Sequence, residues 1–493
     1  MITQNIKILF SILLSCCAIT CYPQNNDLRK AYEEFKQQAQ QKYNNFRKES
    51  NEQYAMFLKQ AWEQYKALPA IPHPKEKPKP PIIFSEEDKN KPIENIPIPI
   101  KNVVSPPGPT PQPIPIEPIK EHTQQEEYPI AFVYCGTKCT VRINDEIKNI
   151  LLNLECDNEQ LAKAWVSLSE KCLMNNTIRD CLAIRVGMNL CDWAYLNMLS
   201  VFSKAIYGNT NTATFLTAYI YSQSGYKMRI GRNEQHIYLL YASEHGIYDI
   251  AYFDIEGMKY YPFECNENQL EICDASFPQE KPLSLYILQN QKFEYKASNL
   301  RTLTSKRYPN VQVQVQVNQN LINFYNTYPT SEVNDDFMTR WAMYANTPLD
   351  EHVKTRLYPI LTDKFKGLSQ LETANILLNW VQTAFVYEYD DKVWGHDRAF
   401  FAEETLYYPY CDCEDRAILY TRLIRDLLRL KTILVFYPGH LACAVCFTDD
   451  VSGDYISLNG ERYVITDPTY IGAPVGITMP DMDNSRANII LLE

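Results

Sequence analysis

The strongest pattern in the chain is a switch of hydrophobic period near its C-terminal end. From Cys413 the positions Ala417, Tyr420, Ile424 and Leu427 recur at steps of four and three, the spacing of one helix face, so a helix is predicted to open at Cys413. Thr432 to Tyr437 is then a β-branched and aromatic run closed by Pro438-Gly439, and Leu441 to Phe447 is a second apolar run. Both read as strands. Tyr455 to Leu458, Asn459-Gly460 and Tyr463 to Thr466 read as a hairpin, because Asn-Gly accepts the positive φ values of a type I′ turn. Upstream, Ser369-Gln370-Leu371-Glu372 is a capping box that Ala374, Leu377, Leu378, Val381 and Phe385 continue as a helix face. Val311 to Val317 alternates valine with glutamine, the period of a half-exposed strand.

The N-terminal part reads differently. Residues 22–68 carry an eleven-residue repeat in Tyr32, Tyr43, Tyr54 and Tyr65, with Phe35, Phe46 and Phe57 each three positions on. Eleven residues make three turns at about 3.67 per turn, so these rings form a stripe along one long helix. The stripe is expected to pair with a second copy of itself (self-association through 26–67), with a partner, or with the folded domains. Residues 69–125 follow as a proline-rich linker, with 16 of the 30 prolines between Pro69 and Pro118. This segment is predicted to be an extended spacer, reaching up to about 150 Å at about 3.1 Å per residue. At the very start, Lys7 followed by Ile8 to Leu14 and Ser15-Cys16 fits a secretory signal over 1–21, too brief to span a bilayer. Leu13-Leu14-Ser15-Cys16 also resembles a bacterial lipobox, which makes Cys16 a candidate lipid anchor and the exported chain a periplasmic or membrane-anchored one.

Laid over the C-terminal motif at a shift of 204, residues 126–295 place Asn209 under Cys413, Ala213 under Ala417 and His236 under His440; at a shift of 203, Glu264 falls under Asp467. The middle region is therefore expected to be a degenerate copy of the C-terminal fold, without catalysis because asparagine cannot replace a thiolate. Residues 296–364 join the two. The fold class expected is α+β: two modules of helix on antiparallel sheet, preceded by the long helix and the proline-rich linker.

Composition adds limits. The 493 residues suggest about three domains, and 45% hydrophobic content is ample for real cores. A net charge of −11 excludes nucleic acid as a partner and leaves a protein or peptide substrate. Apart from Cys16, Cys17 and Cys21 the cysteines are even in number, so Cys135 with Cys139 and Cys265 with Cys273 are candidate disulfides, weighed equally against buried thiols. Cys411, Cys413, Cys443 and Cys446 have zinc-like spacings, but strand residues three apart point to opposite faces, so buried thiols are expected at Cys443 and Cys446, and no metal or cofactor.

The chemistry lies in Cys413, His440 and Asp467, which follow one another at equal separations of 27 residues. A thiol attacks as its thiolate, so it needs an adjacent base and a favourable field such as a helix N-terminus, and the base needs an orienting acceptor. The set, with the Trp380-bearing helix ahead of it, resembles the transglutaminase-like superfamily (a papain-like fold) over roughly residues 365–493. The resemblance implies Cys413 as nucleophile, His440 as general base and acid, and Asp467 as the group orienting the imidazole. One departure is Cys411, where the family usually has glycine; Cys413 is preferred because it stays in phase with Ala417. Gln382, Trp394 and His396 precede the motif and are left outside the catalytic set. Two functions are expected to compete: a cysteine enzyme acting on amide bonds, by peptide hydrolysis rather than crosslinking, and a non-catalytic envelope scaffold.

Overall fold

A computed structural model describes residues 26–493 except 75–76, 87–88, 90–91, 109–125 and 152–153. The expected signal at 1–21, with Cys16, and the end of the proline-rich linker lie outside the described residues. The remainder is a mixed α+β structure.

Two six-stranded sheets organise it. In chain order their strands are β1 (Trp62–Lys66), β2 (Asn102–Val104), β3 (Met228–Arg232), β4 (Ile237–Ala242), β5 (Phe253–Ile255), β6 (Met258–Pro262) and β7 (Gln269–Cys273). The C-terminal strands are β8 (Lys431–Tyr437), β9 (His440–Cys446), β10 (Tyr455–Leu458), β11 (Glu461–Thr466) and β12 (Asn488–Leu491). The middle sheet runs β5-β6-β4-β3-β7-β1 and the C-terminal sheet β10-β11-β9-β8-β12-β2. Strand for strand the first five positions of each share one chain order, and every neighbouring pair among them is antiparallel. A helix precedes each set: α1 (Asn211–Gln223) before β3 and α2 (Cys413–Leu428) before β8. The middle region therefore repeats the topology of the C-terminal one. Only the outermost strand differs, β1 being antiparallel to β7 and β2 parallel to β12.

The period-2 rule sorts the faces. On β9, Leu441, Cys443 and Val445 join the main core with Tyr420, Leu423 and Ile424 of α2, while Ala442 and Ala444 point to a smaller cluster on the outer face with Val435 and Ile465. The main core is continuous between the modules. Val311 to Val317 forms a strand over Gln312–Val315 with alternating burial, paired with Arg301–Thr304.

The N-terminal helix spans Asn26–Gln60, shorter than the stripe suggests. The fourth repeat unit is strand β1, held in the middle sheet by pairing with β7. Docking uses Arg47, Asn51, Tyr54 and Leu58, at steps of four, three and four. Tyr54 packs on Trp165 at 4.5 Å, Asn51 accepts from the Trp165 indole at 2.8 Å, and Arg47 donates to Asn175 and Gln223. Tyr32, Phe35, Phe46 and Phe57 remain exposed: the buried face includes three polar residues, Arg47, Ser50 and Asn51, that a search for apolar periodicity passes over.

The proline-rich segment is extended but lies along both modules. Leu68 and Ile71 bridge to Tyr252 and Tyr248 of the middle module; Ile83 and Pro97 bridge to Ile471 and Tyr455 of the other, and β2 closes its sheet. Main-chain bridges at these four positions supply the anchors, so the described part is a strap rather than a spacer free to reach outward. The candidate disulfides are absent, since every cysteine from Cys135 to Cys446 is a free thiol. Cys139 stands opposite Phe132 in a hairpin while Cys135 occupies its turn at φ 43°, and Cys273 is buried in β7 while Cys265 lies beyond β6 and is partly exposed.

Candidate functional site

The three residues sit at element ends. Cys413 is the first residue of α2, whose N-cap Asp412 exchanges a capping box with Asp415. His440 opens β9, one residue after Gly439, whose φ of +74° makes the tight turn from β8. Asp467 directly follows β11, delivered by a hairpin whose Asn459 and Gly460 carry φ values of 52° and 80°.

His440 Nε2 lies 2.8 Å from Asp467 Oδ2. The carboxylate's other oxygen accepts the backbone N–H of Thr469 at 2.8 Å and of Tyr470 at 3.2 Å. Asp467 is thus fixed as an acceptor, which puts the imidazole proton on Nε2 and leaves Nδ1 as a lone pair. His440 Nδ1 is buried and has no hydrogen-bond partner among the described residues. It belongs to the lining of a cavity of about 40 Å³ shared with Cys413. Cys411 does not share that cavity: its sulfur lies 3.5 Å from Arg416 Nε and 3.8 Å from the Val386 carbonyl. A larger hollow of about 680 Å³ lies between the strap and the 454–480 loops and holds Arg307 and Asp454, but neither thiol nor imidazole.

The field at Cys413 runs against the expectation from its helix end. Its thiol lies 3.1 Å from Glu414 Oε2, and burial, then the charges of Glu414 and Asp412, push its pKa well up, opposed by the Leu441 N–H. Three overlapping trios, Asp412 with Cys413 and Glu414, Asp390 with Asp412 and Asp415, and Asp390 with Asp397 and Glu414, each hold ligand atoms within 4.8 Å of one another. Protonation and one guanidinium account for this crowding. Burial and then Glu414 raise Asp390 to about 8, and burial with neighbouring carboxylates raises Asp412 and Asp415 well above the usual range. Asp397 goes the other way: burial is outweighed by Arg340 and His73, which hold it near 2.

Two buried side chains that the sequence left aside build the loop under the dyad. Gln382 donates to the carbonyls of Asp467, Tyr470 and Ala473 and accepts from Gly472 N–H. Arg416 donates to the carbonyls of Gln382, Phe385 and Pro468. A glutamine in the middle of an apolar helix face, three positions before Phe385, was the available signal. Trp394 stacks under Arg398 at 4.2 Å, and His396 lies 5.8 Å from the His73 ring.

In the middle module the counterpart of Cys413 is Asn211, not Asn209, which is exposed in the preceding loop. Asn211 opens α1 and accepts the Ile237 N–H at 3.0 Å, as Cys413 meets the Leu441 N–H. Asn211 precedes His236 by 25 residues where Cys413 precedes His440 by 27, which shifts the helix against a gapless alignment by two. His236 is exposed, and Glu264 bonds Ser200 and Lys204, so this module gathers no triad.

No known family model matches the chain, and neither a curated protein nor a solved structure matches it.

Proposed function

We propose that this chain is an exported, transglutaminase-like cysteine enzyme that cleaves amide bonds in a protein or peptide through a thioester. What carries the reading is the Asp467–His440 pair at 2.8 Å whose free Nδ1 is buried in the lining of the cavity that Cys413 also lines. The Cys413 proton passes to Nδ1, the sulfur attacks the carbonyl, and the imidazolium returns the proton to the departing amine. Water, deprotonated by the same nitrogen, then splits the thioester and restores the thiol. Asp467 keeps the imidazole in the tautomer that can accept and steadies its charge in between. Cys413 opens α2, and its backbone N–H there would receive the developing oxyanion. The leader-like start at 1–21 supports action outside the cytoplasm.

A second reading, a binding scaffold without turnover, draws on the burial of Cys413 at 3% exposure and on its carboxylate neighbours. Replacing Cys413 with alanine separates the two. In a chain whose residues 77–84 have been displaced from the site, an enzyme loses labelling by an acyl-directed thiol probe and any peptide cleavage; equal labelling or cleavage in the variant refutes the catalytic reading.

A further inference from the structure

The burial of Cys413 has an identifiable cause in the strap. The Lys79 N–H donates to the Gly439 carbonyl at 2.8 Å, and the Tyr387 hydroxyl reaches the Lys79 carbonyl at 3.3 Å. The Lys77 carbonyl lies so close over Gly439 that a Cβ there would stand 2.4 Å from it. Pro74 and Pro78 complete the lining of the cavity of Cys413 and His440. Farther along, Phe84 N–H donates to the Ile471 carbonyl at 2.9 Å and Ile471 N–H to the Ile82 carbonyl at 2.8 Å, beside the Asp467 loop. Upstream, His73 stacks on Tyr248 at 4.7 Å and lies 3.5 Å from Asp397. An extended main chain thus crosses the residue before the base, bonded through backbone groups at Lys79 and again at Ile82 and Phe84, with Pro74 and Pro78 in the cavity lining that Cys413 shares. The space left, about 40 Å³, holds roughly two or three waters and no substrate.

We infer that the strap occupies the groove that receives the substrate. The groove takes an extended polypeptide, whose backbone N–H pairs with the Gly439 carbonyl and whose small cyclic or apolar side chain covers Cys413; the chain's own residues 77–84 hold that place and keep the enzyme latent until they leave. This rests on Cys413 being the nucleophile. The recognition is the main-chain pairing by which an added strand binds, sequence-tolerant except where a side chain meets a pocket. Latency follows from the thiol's surroundings: burial is the largest cause raising the Cys413 pKa, and displacement of Pro74 and Pro78 removes part of it.

The test follows iodoacetamide alkylation of Cys413, by peptide mass spectrometry, in the full chain and in Lys79→Pro, which deletes the N–H that bonds Gly439. The variant should alkylate at Cys413 at least about tenfold faster, because thiolate fraction and access both rise, while the buried Cys443 stays protected and reports that the fold is intact. A synthetic peptide of residues 71–84 added to the variant should restore protection. Pro78→Gly serves as a second release variant should Lys79→Pro fail to fold. Equal Cys413 rates in both release variants and the parent, with Cys443 protected, overturn the inference, as does release that the added peptide does not reverse. Adding His440→Ala to the released chain tests the underlying reading separately. A rate indifferent to that change refutes Cys413 as an activated nucleophile even where peptide protection upholds the groove.

Discussion

Asp467→Asn tests the geometry at its most exposed joint. The asparagine can still accept from Thr469 and Tyr470 N–H through Oδ1, so the loop keeps its two backbone bonds. Toward His440 it presents an amide NH₂ in place of the oxygen 2.8 Å from Nε2. Nε2 must then accept, the proton moves to Nδ1, and the nitrogen in the cavity lining loses its lone pair. A hydrogen bond to a charged group contributes about 1.5–3 kcal/mol against about 1 for a neutral one, and both partners are buried, so the imidazolium loses about 0.5–2 kcal/mol of support. At 1.36 kcal/mol per pH unit, the pH at which Cys413 becomes a thiolate should rise by about 0.4 to 1.5 units. The sign is fixed: the carboxylate stabilises the imidazolium, the imidazolium stabilises the thiolate, and removing the first moves alkylation to higher pH. The assay is the pH profile of Cys413 alkylation in the strap-released chain, with and without the asparagine, beside a urea unfolding midpoint that should move little. A profile that stays in place or shifts to lower pH refutes the proposed coupling of the three groups.

Two further outcomes check the surroundings. Gln382→Ala removes four hydrogen bonds to the loop that carries Asp467 and leaves buried carbonyls unpaired, so urea unfolding should show a loss of about 2–4 kcal/mol; a change below about 0.5 kcal/mol would remove Gln382 from the supporting loop. Burial, the first cause in each case, raises Asp390 and Glu403 to about 8 and Glu404 to about 7. The folded state therefore keeps protons that the unfolded chain gives up near pH 4, and stability is full below that and declines as pH rises toward 8. Unfolding free energy measured from pH 5 to pH 9 should fall, less steeply in Glu403→Gln; a parallel slope in that variant contradicts the buried protonated state.

Local structure was largely legible where two signals coincide. The capping box at Ser369 and Glu372 forms, with Ser369 Oγ accepting at 3.2 Å, because both partners lie within one turn and nothing distant competes. The Asn459-Gly460 turn forms for the same reason. The long helix fails at its last repeat because pairing with β7 outweighs helical periodicity in Trp62–Lys66, an influence from some 200 residues away. Asn209 is misplaced against Cys413 because a gapless shift cannot register that the helix-to-strand passage of the middle module is two residues shorter.

Periodicity and turn chemistry in the sequence alone determined that a helix opens at Cys413, that a strand follows His440 and that a hairpin ends at Asp467, since each depends on neighbours within a few residues. Tertiary structure alone decided that the strap lines the cavity of Cys413 and His440, that Gln382 and Arg416 brace the loop, that Asn211 takes the corresponding place in the other module and that carboxylates crowd the helix head. Each of these depends on burying backbone or polar groups against residues far along the chain, and the worth of such a contact depends on desolvation that no local pattern encodes.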